Sequence, residues 1–291
     1  MSDHDIDVPL IRIAVPNKGA LSEAAATMLR EAGYRQRNDT KDLVLTDAEN
    51  GVEFYYLRPR DIAVYVGEGT LDLGLTGRDM LLDSQAPATE IMALGFGRSR
   101  FRFASPVDGE VRSVEALAGH RIATSYPGLL GTWLSEHGVD ARLIHLDGAV
   151  ESAIRLGVAD VIADVVETGT TLRRAGLEVF GETICESEAI MIQRNGLDRN
   201  GTVTQLLRRL EGVLVARNYV MVDYNVPEEQ LDAACAITPG LNGPTVSALA
   251  MEGWVAVRSL VPRKDSQRLL DDLYLAGARG ILLTDLAACR L

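Results

Sequence analysis

The stretch Glu151–Leu172, ESAIRLGVADVIADVVETGTTL, decides how the rest of the chain is read. Its centre, Val161-Ile162-Ala163-Asp164-Val165-Val166, is an apolar run of strand length and predicts a buried β-strand. The run ends in a small, hydroxyl-rich turn, Glu167-Thr168-Gly169-Thr170-Thr171, and a helix is expected from Leu172. A strand that stops at Thr-Gly-x-Thr before a helix makes an anion cradle. Backbone N–H groups and the helix dipole point the same way, and threonine hydroxyls add donors. Gly169 lets the backbone come close to a ligand. Asp164 and Glu167 are odd neighbours for phosphate alone, but they fit a ligand that also carries hydroxyls or a metal ion. By itself the turn reads as an ordinary strand-to-helix corner, where Thr and Gly are common. The two acids tip the reading toward function.

Outward from this stretch the chain alternates strands and helices. Ile122–Thr124 is a strand, Leu129–His137 a helix, Ala141–Leu146 a strand and Val150–Leu156 a helix. Further upstream, Ile11–Val15 is a compact apolar strand, followed by Pro16-Asn17-Lys18-Gly19 and a helix from Leu21 to Gly33. Val52–Leu57 and Leu71–Thr76 are strands, with helical stretches at Asp61–Tyr65 and Asp79–Leu82. This order argues for α/β layers with parallel pairing. Gly95–Ser99 reads as a crossover between two lobes, and Ile184–Arg194 as one strand returning to the first. Two lobes joined by two crossings leave a cleft at the C-terminal ends of their strands. A strand ending in Thr76-Gly77 faintly echoes the one ending in Thr168-Gly169.

Past about residue 211 the character changes. Gly212–Val226 alternates apolar and polar residues like a long strand. Pro227–Ala236 opens with Pro-Glu-Glu, a good helix start. Thr245–Ala250 and Trp254–Leu260 are strands, Asp265–Ala276 an amphipathic helix and Gly280–Asp285 a last strand. The order β-α-β-β-α-β is the ferredoxin-like split unit. The expected domains are therefore a polar extension (1–9), lobe I (10–97 and 184–210), lobe II (98–183) and a C-terminal domain (211–291).

The chain has 291 residues and a formal net charge of -12. That length calls for more than one core. So acidic a chain is a poor nucleic-acid binder, and any phosphate site must be local. Cys185, Cys235 and Cys289 are far apart and form no CxxC, which fits a reducing cytoplasm. The N-terminal residues lack the apolar core of a secretion signal, and no apolar run reaches membrane length. His4, His120, His137 and His145 show no metal-ligand spacing. There is no GxxxxGK[ST] and no GxGxxG after a strand. Lys18 and Arg58 each read two ways, as solvated surface cations or as cleft residues that offset phosphate charge. Thr76-Gly77-Arg78-Asp79 is a second strand-to-helix corner. There Asp79 either caps the helix or, with Arg78, holds a base, ribose or phosphate.

Glu151, Gly157, Ala159, Ile162, Asp164, Val165, Thr168, Gly169, Thr171 and Leu172 fit the signature of the ATP phosphoribosyltransferase family along its length. AVPNKGALSE, LRPRDIAVYVGEGTLDLGLTGRD and AITPGLNGPT also resemble that family's blocks. The likeness covers nearly all of the chain after the first nine or so residues, and the domain past residue 211 makes it similar to the long form. The resemblance implies a type II periplasmic-binding-protein-like core of two lobes with an ACT-like third domain. It implies a pentosyl transfer that joins N1 of ATP to C1 of 5-phosphoribosyl 1-pyrophosphate, releases pyrophosphate, and opens histidine biosynthesis. It further implies a Mg²⁺ requirement, inhibition by L-histidine, a homo-oligomer (dimer or hexamer) and no separate regulatory subunit. Nucleic acid and membrane are not expected partners, and the cytoplasm is the expected location.

The residue roles follow from the same resemblance. Asp164, Val165, Val166, Glu167, Thr168, Gly169, Thr170 and Thr171 would bind phosphoribosyl pyrophosphate. Asp164 or Glu167 would meet the metal carried by the substrate. Lys18, Arg58 and Arg78 would stabilise charge, and Lys18, Arg78 and Asp79 would bind ATP. Asp223, Asn225, Leu241, Thr245 and Gly280 would form the histidine site. Asn225 stands where some relatives carry a second acid, which implies weaker effector binding. The absence of a catalytic His or Cys agrees with this chemistry. Pyrophosphate is a good leaving group once its charge is offset, so positioning and electrostatics do most of the work. The competing class is a cytoplasmic two-lobed sensor without catalysis. Against it, no basic segment for a DNA-binding helix-turn-helix is present.

Overall fold

The computed structural model describes residues 10–166, 169–199 and 201–290. The polar extension expected at residues 1–9 lies outside them, as do Glu167 and Thr168. The chain divides into two compact units. The first runs to Thr202 apart from Met28–Tyr34, which groups with Val203 onward in the second.

In the first unit, β1 (Ile11–Pro16) carries five buried residues in six, as a strand covered on both faces must. After α1 (Ala20–Glu31) come β2 (Val44–Asp47), β3 (Val52–Leu57), α2 (Pro59–Gly67), β4 (Leu73–Gly77), α3 (Arg78–Ser84) and β5 (Ala88–Ala93). The chain then enters a second lobe through β6 (Ser99–Pro106), β7 (Arg121–Thr124), α4 (Pro127–Glu136), β8 (Arg142–His145), α5 (Ser152–Arg155), β9 (Val161–Val166), α6 (Thr170–Arg174) and β10 (Leu177–Ser187). It returns as β11 (Ala189–Arg194).

The two sheets run in the orders β2-β3-β1-β4-β11-β5 and β10-β6-β9-β7-β8. β1 lies parallel to β3 and β4, and β7 lies parallel to β8 and β9. The C-terminal ends of those strands therefore share one edge in each lobe. Lobe I packs Ile62, Ala63 and Val66 of α2 against Ala14, Ile190 and Ile192. Lobe II is built around aromatics: Phe103 meets Trp133 edge-on at 5.3 Å and stacks with Phe180 at 5.7 Å.

Ile184–Arg194 is not one strand. β10 belongs to the second sheet and β11 to the first, and the break falls at Glu188. The Glu188 carbonyl accepts the Arg78 N–H (3.0 Å), and its carboxylate accepts the Gly95 N–H (3.0 Å). Gly95 lies in the other crossing, so the two crossings are tied together.

The second unit contains α7 (Gly201–Asn218) from Val203 onward, then β12 (Tyr219–Pro227), α8 (Leu231–Ile237), β13 (Thr245–Ala248), β14 (Trp254–Pro262), α9 (Ser266–Leu275) and β15 (Arg279–Asp285). The strand expected over Gly212–Val226 is helix as far as Asn218. Val203, Leu206, Leu210 and Val213 recur every three or four residues and are buried, so helical spacing outweighs the alternation that follows it. From β12 on, the order is the expected β-α-β-β-α-β, in one antiparallel sheet ordered β13-β14-β12-β15. Val220, Val222, Tyr224 and Val226 face the core, and Tyr224 is anchored by a 2.8 Å hydrogen bond between its hydroxyl and Thr238. Asp223 and Asn225 point to the opposite face. Among the described residues, no helix is long and apolar enough to cross a membrane.

Candidate functional site

The strand-end edge of lobe I carries Asn17-Lys18-Gly19 after β1, Arg58 after β3, and Arg78-Asp79 after β4. Lys18 and Arg58 are exposed there. Arg58 occupies the cap position of α2 in extended conformation, just ahead of Pro59. Arg78 is already engaged: Nε and Nη2 donate to both Glu90 oxygens (2.9 and 2.7 Å), and Glu188 lies 3.7 Å away. The hydrogen bonds to Glu90 hold its pKa above the ordinary arginine value.

Asp79, in the first turn of α3, is buried. Its N–H donates to Ser187 Oγ (3.1 Å), and that hydroxyl donates back to Asp79 Oδ1 (2.9 Å). Met80 N–H donates to the same oxygen (2.9 Å). Oδ1 is thus saturated. A buried carboxylate held this way is an oriented acceptor, rigid before any ligand arrives.

The facing edge of lobe II carries Ser125-Tyr126 after β7 and the anion-cradle segment after β9. Asp164 is half-buried, with Oδ1 accepting the Val165 N–H at 2.8 Å. Burial raises its pKa; the charges of Glu151 and Asp79 add to the rise, while the Val165 N–H and Arg60 oppose it. Val165 and Val166 pair with Phe101 and Arg100 of β6. Gly169 adopts the left-handed conformation (φ 69°) that turns the chain into α6. Thr170 and Thr171 open that helix and are exposed. The expected contributions of Glu167 and Thr168 lie outside the described residues.

Side chains unread at the sequence level join the edges. Tyr126 is buried, packs edge-on against Phe101 at 5.3 Å, and has the Arg60 guanidinium 4.4 Å above its ring. Burial pushes its phenol pKa well up, and the charges of Asp79 and Asp164 push the same way. It therefore stays a neutral donor at any physiological pH. Arg60 also pairs with Asp83 (3.1 Å). Cys185 is raised to about 11 by burial and then by Asp79, so it is no nucleophile. Tyr126, Arg60 and Ser187 come from separate elements, and no local pattern marks them. Asp79 and Asp164 both raise the Tyr126 pKa and Asp79 also raises that of Asp164, although the three come from β4–α3, β7–α4 and β9.

In the second unit, register places Asp223, Arg258 and Thr245 in one cross-strand row, and Asn225 beside β15. Asp223 holds Arg258 at 2.6 Å. Gly280 sits so close to Asn225 that an added Cβ would meet Nδ2 at 3.4 Å. Leu241 is exposed in the loop before β13.

Together these features define the class: a two-lobed α/β core of type II periplasmic-binding-protein architecture, with a polar cleft at facing strand ends and a C-terminal ferredoxin-like domain. The family model for ATP phosphoribosyltransferase matches residues 58–212, and that for the HisG C-terminal domain matches residues 216–288. An ATP phosphoribosyltransferase of Micrococcus luteus is 62% identical over 284 residues, covering 97% of this chain and 100% of that protein. One from Arthrobacter sp. (strain FB24) is 58% identical over 287 residues, with 97% and 100% covered. A chain of the ATP phosphoribosyl transferase (HisG:HisZ) complex from Thermotoga maritima matches with a TM-score of 0.61 at 27% identity, covering 70% of this chain and 98% of that one. The chain belongs to the ATP phosphoribosyltransferase family.

Proposed function

We propose that this chain joins ATP to 5-phosphoribosyl 1-pyrophosphate as the first step of histidine biosynthesis. N1 of the adenine attacks C1 of the ribose, the bond from C1 to the pyrophosphate oxygen breaks, and N1-(5-phosphoribosyl)-ATP and pyrophosphate leave. The observation that carries this reading is the match at 58–62% identity over nearly the whole chain. The geometry supports it by facing two prepared edges toward each other.

In this reading the Thr168–Thr171 turn receives the 5′-phosphate through backbone N–H groups and hydroxyls, and Glu167 belongs with Asp164 to the ribose hydroxyls or the metal. Asp164, Val165 and Val166 line the ribose side, with Asp164 accepting from ribose hydroxyls. Asp79 and Arg78 hold the nucleotide from lobe I, and Lys18 and Arg58 offset phosphate charge. Tyr126 closes the floor beside Asp79 and Asp164. No side chain has to move a proton to a strongly basic leaving group. The residues' work is to align N1 with C1 and to shield the oxocarbenium-like carbon.

Mg²⁺ is proposed as the metal, arriving with the pyrophosphate. Among the described residues, no group of three or more His, Cys, Asp or Glu side chains is placed to hold a metal ion. A single carboxylate, Asp164 or Glu167, fits an ion that takes one or two carboxylates and otherwise binds water and substrate phosphates. When bound, such an ion offsets the charge that develops on the leaving group.

L-histidine is proposed as an inhibitor at the Asp223, Asn225, Leu241, Thr245 and Gly280 surface. An acid and an amide suit its ammonium group, and the threonine hydroxyl suits its carboxylate. The chain carries this domain itself, so no separate regulatory subunit is needed. Homo-oligomers, dimeric or hexameric, would cover exposed apolar side chains of the second unit such as Leu282 and Val246. The cytoplasm is the proposed location, supported by three free cysteines. Mass spectrometry of a reaction containing both substrates and magnesium tests the proposal. It should show ATP enlarged by one phosphoribosyl group; ATP recovered unchanged would refute it.

A further inference from the structure

A pocket of about 510 Å³ opens between the two crossings and the end of β9. It is lined by Arg78, Arg98, Arg100, Val166, Ser187 and Glu188, among others. Its position ties it to the site described above. Arg100 pairs with Val166, the last residue before the anion-cradle turn. Ser187, which pairs with Ser99 on the neighbouring strand, is the residue that holds Asp79.

Three glutamates meet the arginines of this pocket, but among the described residues they leave one guanidinium without a carboxylate. Glu90 and Glu188 engage Arg78. Glu186, which also lines the pocket, lies 3.6 Å from Arg100, with both side chains exposed. Arg98 has no carboxylate partner among the described residues, and it is exposed at the pocket wall. An arginine's charge cannot be titrated away, and its planar fork matches phosphate oxygens. A guanidinium left without a carboxylate beside an anion cradle adds a second point of phosphate contact to the same cleft.

We infer that this pocket holds a polyphosphate group of one substrate, and that Arg98 is a binding residue for it. The inference rests on the proposed reaction. Two groups share the chemistry: the pyrophosphate of phosphoribosyl pyrophosphate and the triphosphate of ATP. The pocket is an extension of the cleft, so it sets how tightly that substrate is held. It does not change what happens at C1.

The test is steady-state kinetics of Arg98→Gln and Arg98→Lys in the full chain, with calorimetric titration of inorganic pyrophosphate. Arg98 is exposed, so its replacement removes no core contact, and thermal melting of each variant controls for misfolding. Arg98→Gln should raise one KM about tenfold with kcat within twofold, and Arg98→Lys should recover part of the loss. A raised KM for phosphoribosyl pyrophosphate together with weakened pyrophosphate binding assigns the pocket to the pyrophosphate. A raised KM for ATP alone assigns it to the triphosphate. Both KM values within twofold of wild type, with unchanged pyrophosphate binding, overturn the inference. Absence of turnover in the wild-type chain would refute the proposed reaction instead, and the pyrophosphate titration would still judge the pocket.

Discussion

The Asp83 carboxylate caps a helix that belongs to the other lobe: its Oδ1 accepts the Gly128 N–H at 2.9 Å. The Leu129 N–H reaches the same oxygen at 3.2 Å, and Arg60 holds the second oxygen at 3.1 Å. A carboxylate at a helix N-terminus satisfies orphan donors and faces the positive end of the dipole. α3 and α4 approach so closely that a Cβ on Gly128 would lie 2.1 Å from the Asp83 carbonyl oxygen. Only glycine permits that contact. The lobes are thus latched beside the cleft, one turn of helix away from Asp79.

Asp83→Ala should remove the cap and leave Arg60 stacked on Tyr126 without its ion pair. The expected cost is about 1 kcal/mol, and the melting temperature should fall by roughly 2–4 °C. Gly128→Ala should cost more, about 1–3 kcal/mol, because backbone must shift. Thermal melts of both variants check this; wild-type melting in both would show that the latch contributes no stability.

Asp164 gives a pH-dependent prediction. Burial holds its folded pKa above the ordinary value. Below the unfolded value, about 3.9, the group is neutral in both states and contributes nothing. As pH rises past that value the unfolded chain ionises first; the penalty on the folded state grows until pH exceeds the folded value and stays in full above it. Asp164→Asn cannot ionise. It should melt higher than wild type at pH 7, with the advantage vanishing toward pH 3, while turnover falls at least tenfold. A variant less stable at neutral pH, or fully active, contradicts this.

Gly169 turns β9 into α6 at φ 69°, with ordinary contact distances around it; the nearest atom to an added Cβ would be Val166 Cγ1 at 3.7 Å. Gly169→Ala therefore strains only the backbone, by about 1–2 kcal/mol. The turn should reopen to relieve it. The Kd for phosphoribosyl pyrophosphate should rise about tenfold while the circular dichroism spectrum stays native. Unchanged affinity would remove this turn from the substrate.

Asp223 pairs with Arg258 on the open face of the C-terminal sheet. Asp223→Ala should abolish inhibition by L-histidine and leave uninhibited turnover within twofold of wild type. Asn225→Asp, which adds a second acid for the effector's ammonium, should lower the inhibitory concentration severalfold. Dose–response curves decide both, and inhibition unchanged in Asp223→Ala would move the effector elsewhere.

Much of this fold could be read locally. Ile11–Val15 and Val161–Val166 announce themselves because parallel strands buried on both faces are continuous apolar runs. β2 was not legible: its mostly uncovered residues give no period. β6 is hidden although Phe101 and Phe103 alternate with Arg100 and Arg102, because it begins at Ser99, the last residue of the Gly95–Ser99 segment that reads as a crossover. Glu188 breaks Ile184–Arg194 through long-range bonds to Arg78 and Gly95, which no local pattern encodes. The site divides along the same line. The turn after β9 and the corner at Arg78-Asp79 are contiguous motifs. Arg60, Tyr126 and Ser187 join them only because parallel strand ends converge.

The central claim is a pentosyl transfer in the cleft between the Asp79 edge and the Asp164 edge. Pyrophosphate release measures it most directly, with ATP, phosphoribosyl pyrophosphate and Mg²⁺ supplied together and then each omitted in turn. The account predicts sustained release only with all three present, and a rate reduced at least tenfold in Thr171→Ala. Binding of both substrates by the folded protein with no release of pyrophosphate would contradict it and leave a two-lobed binding protein.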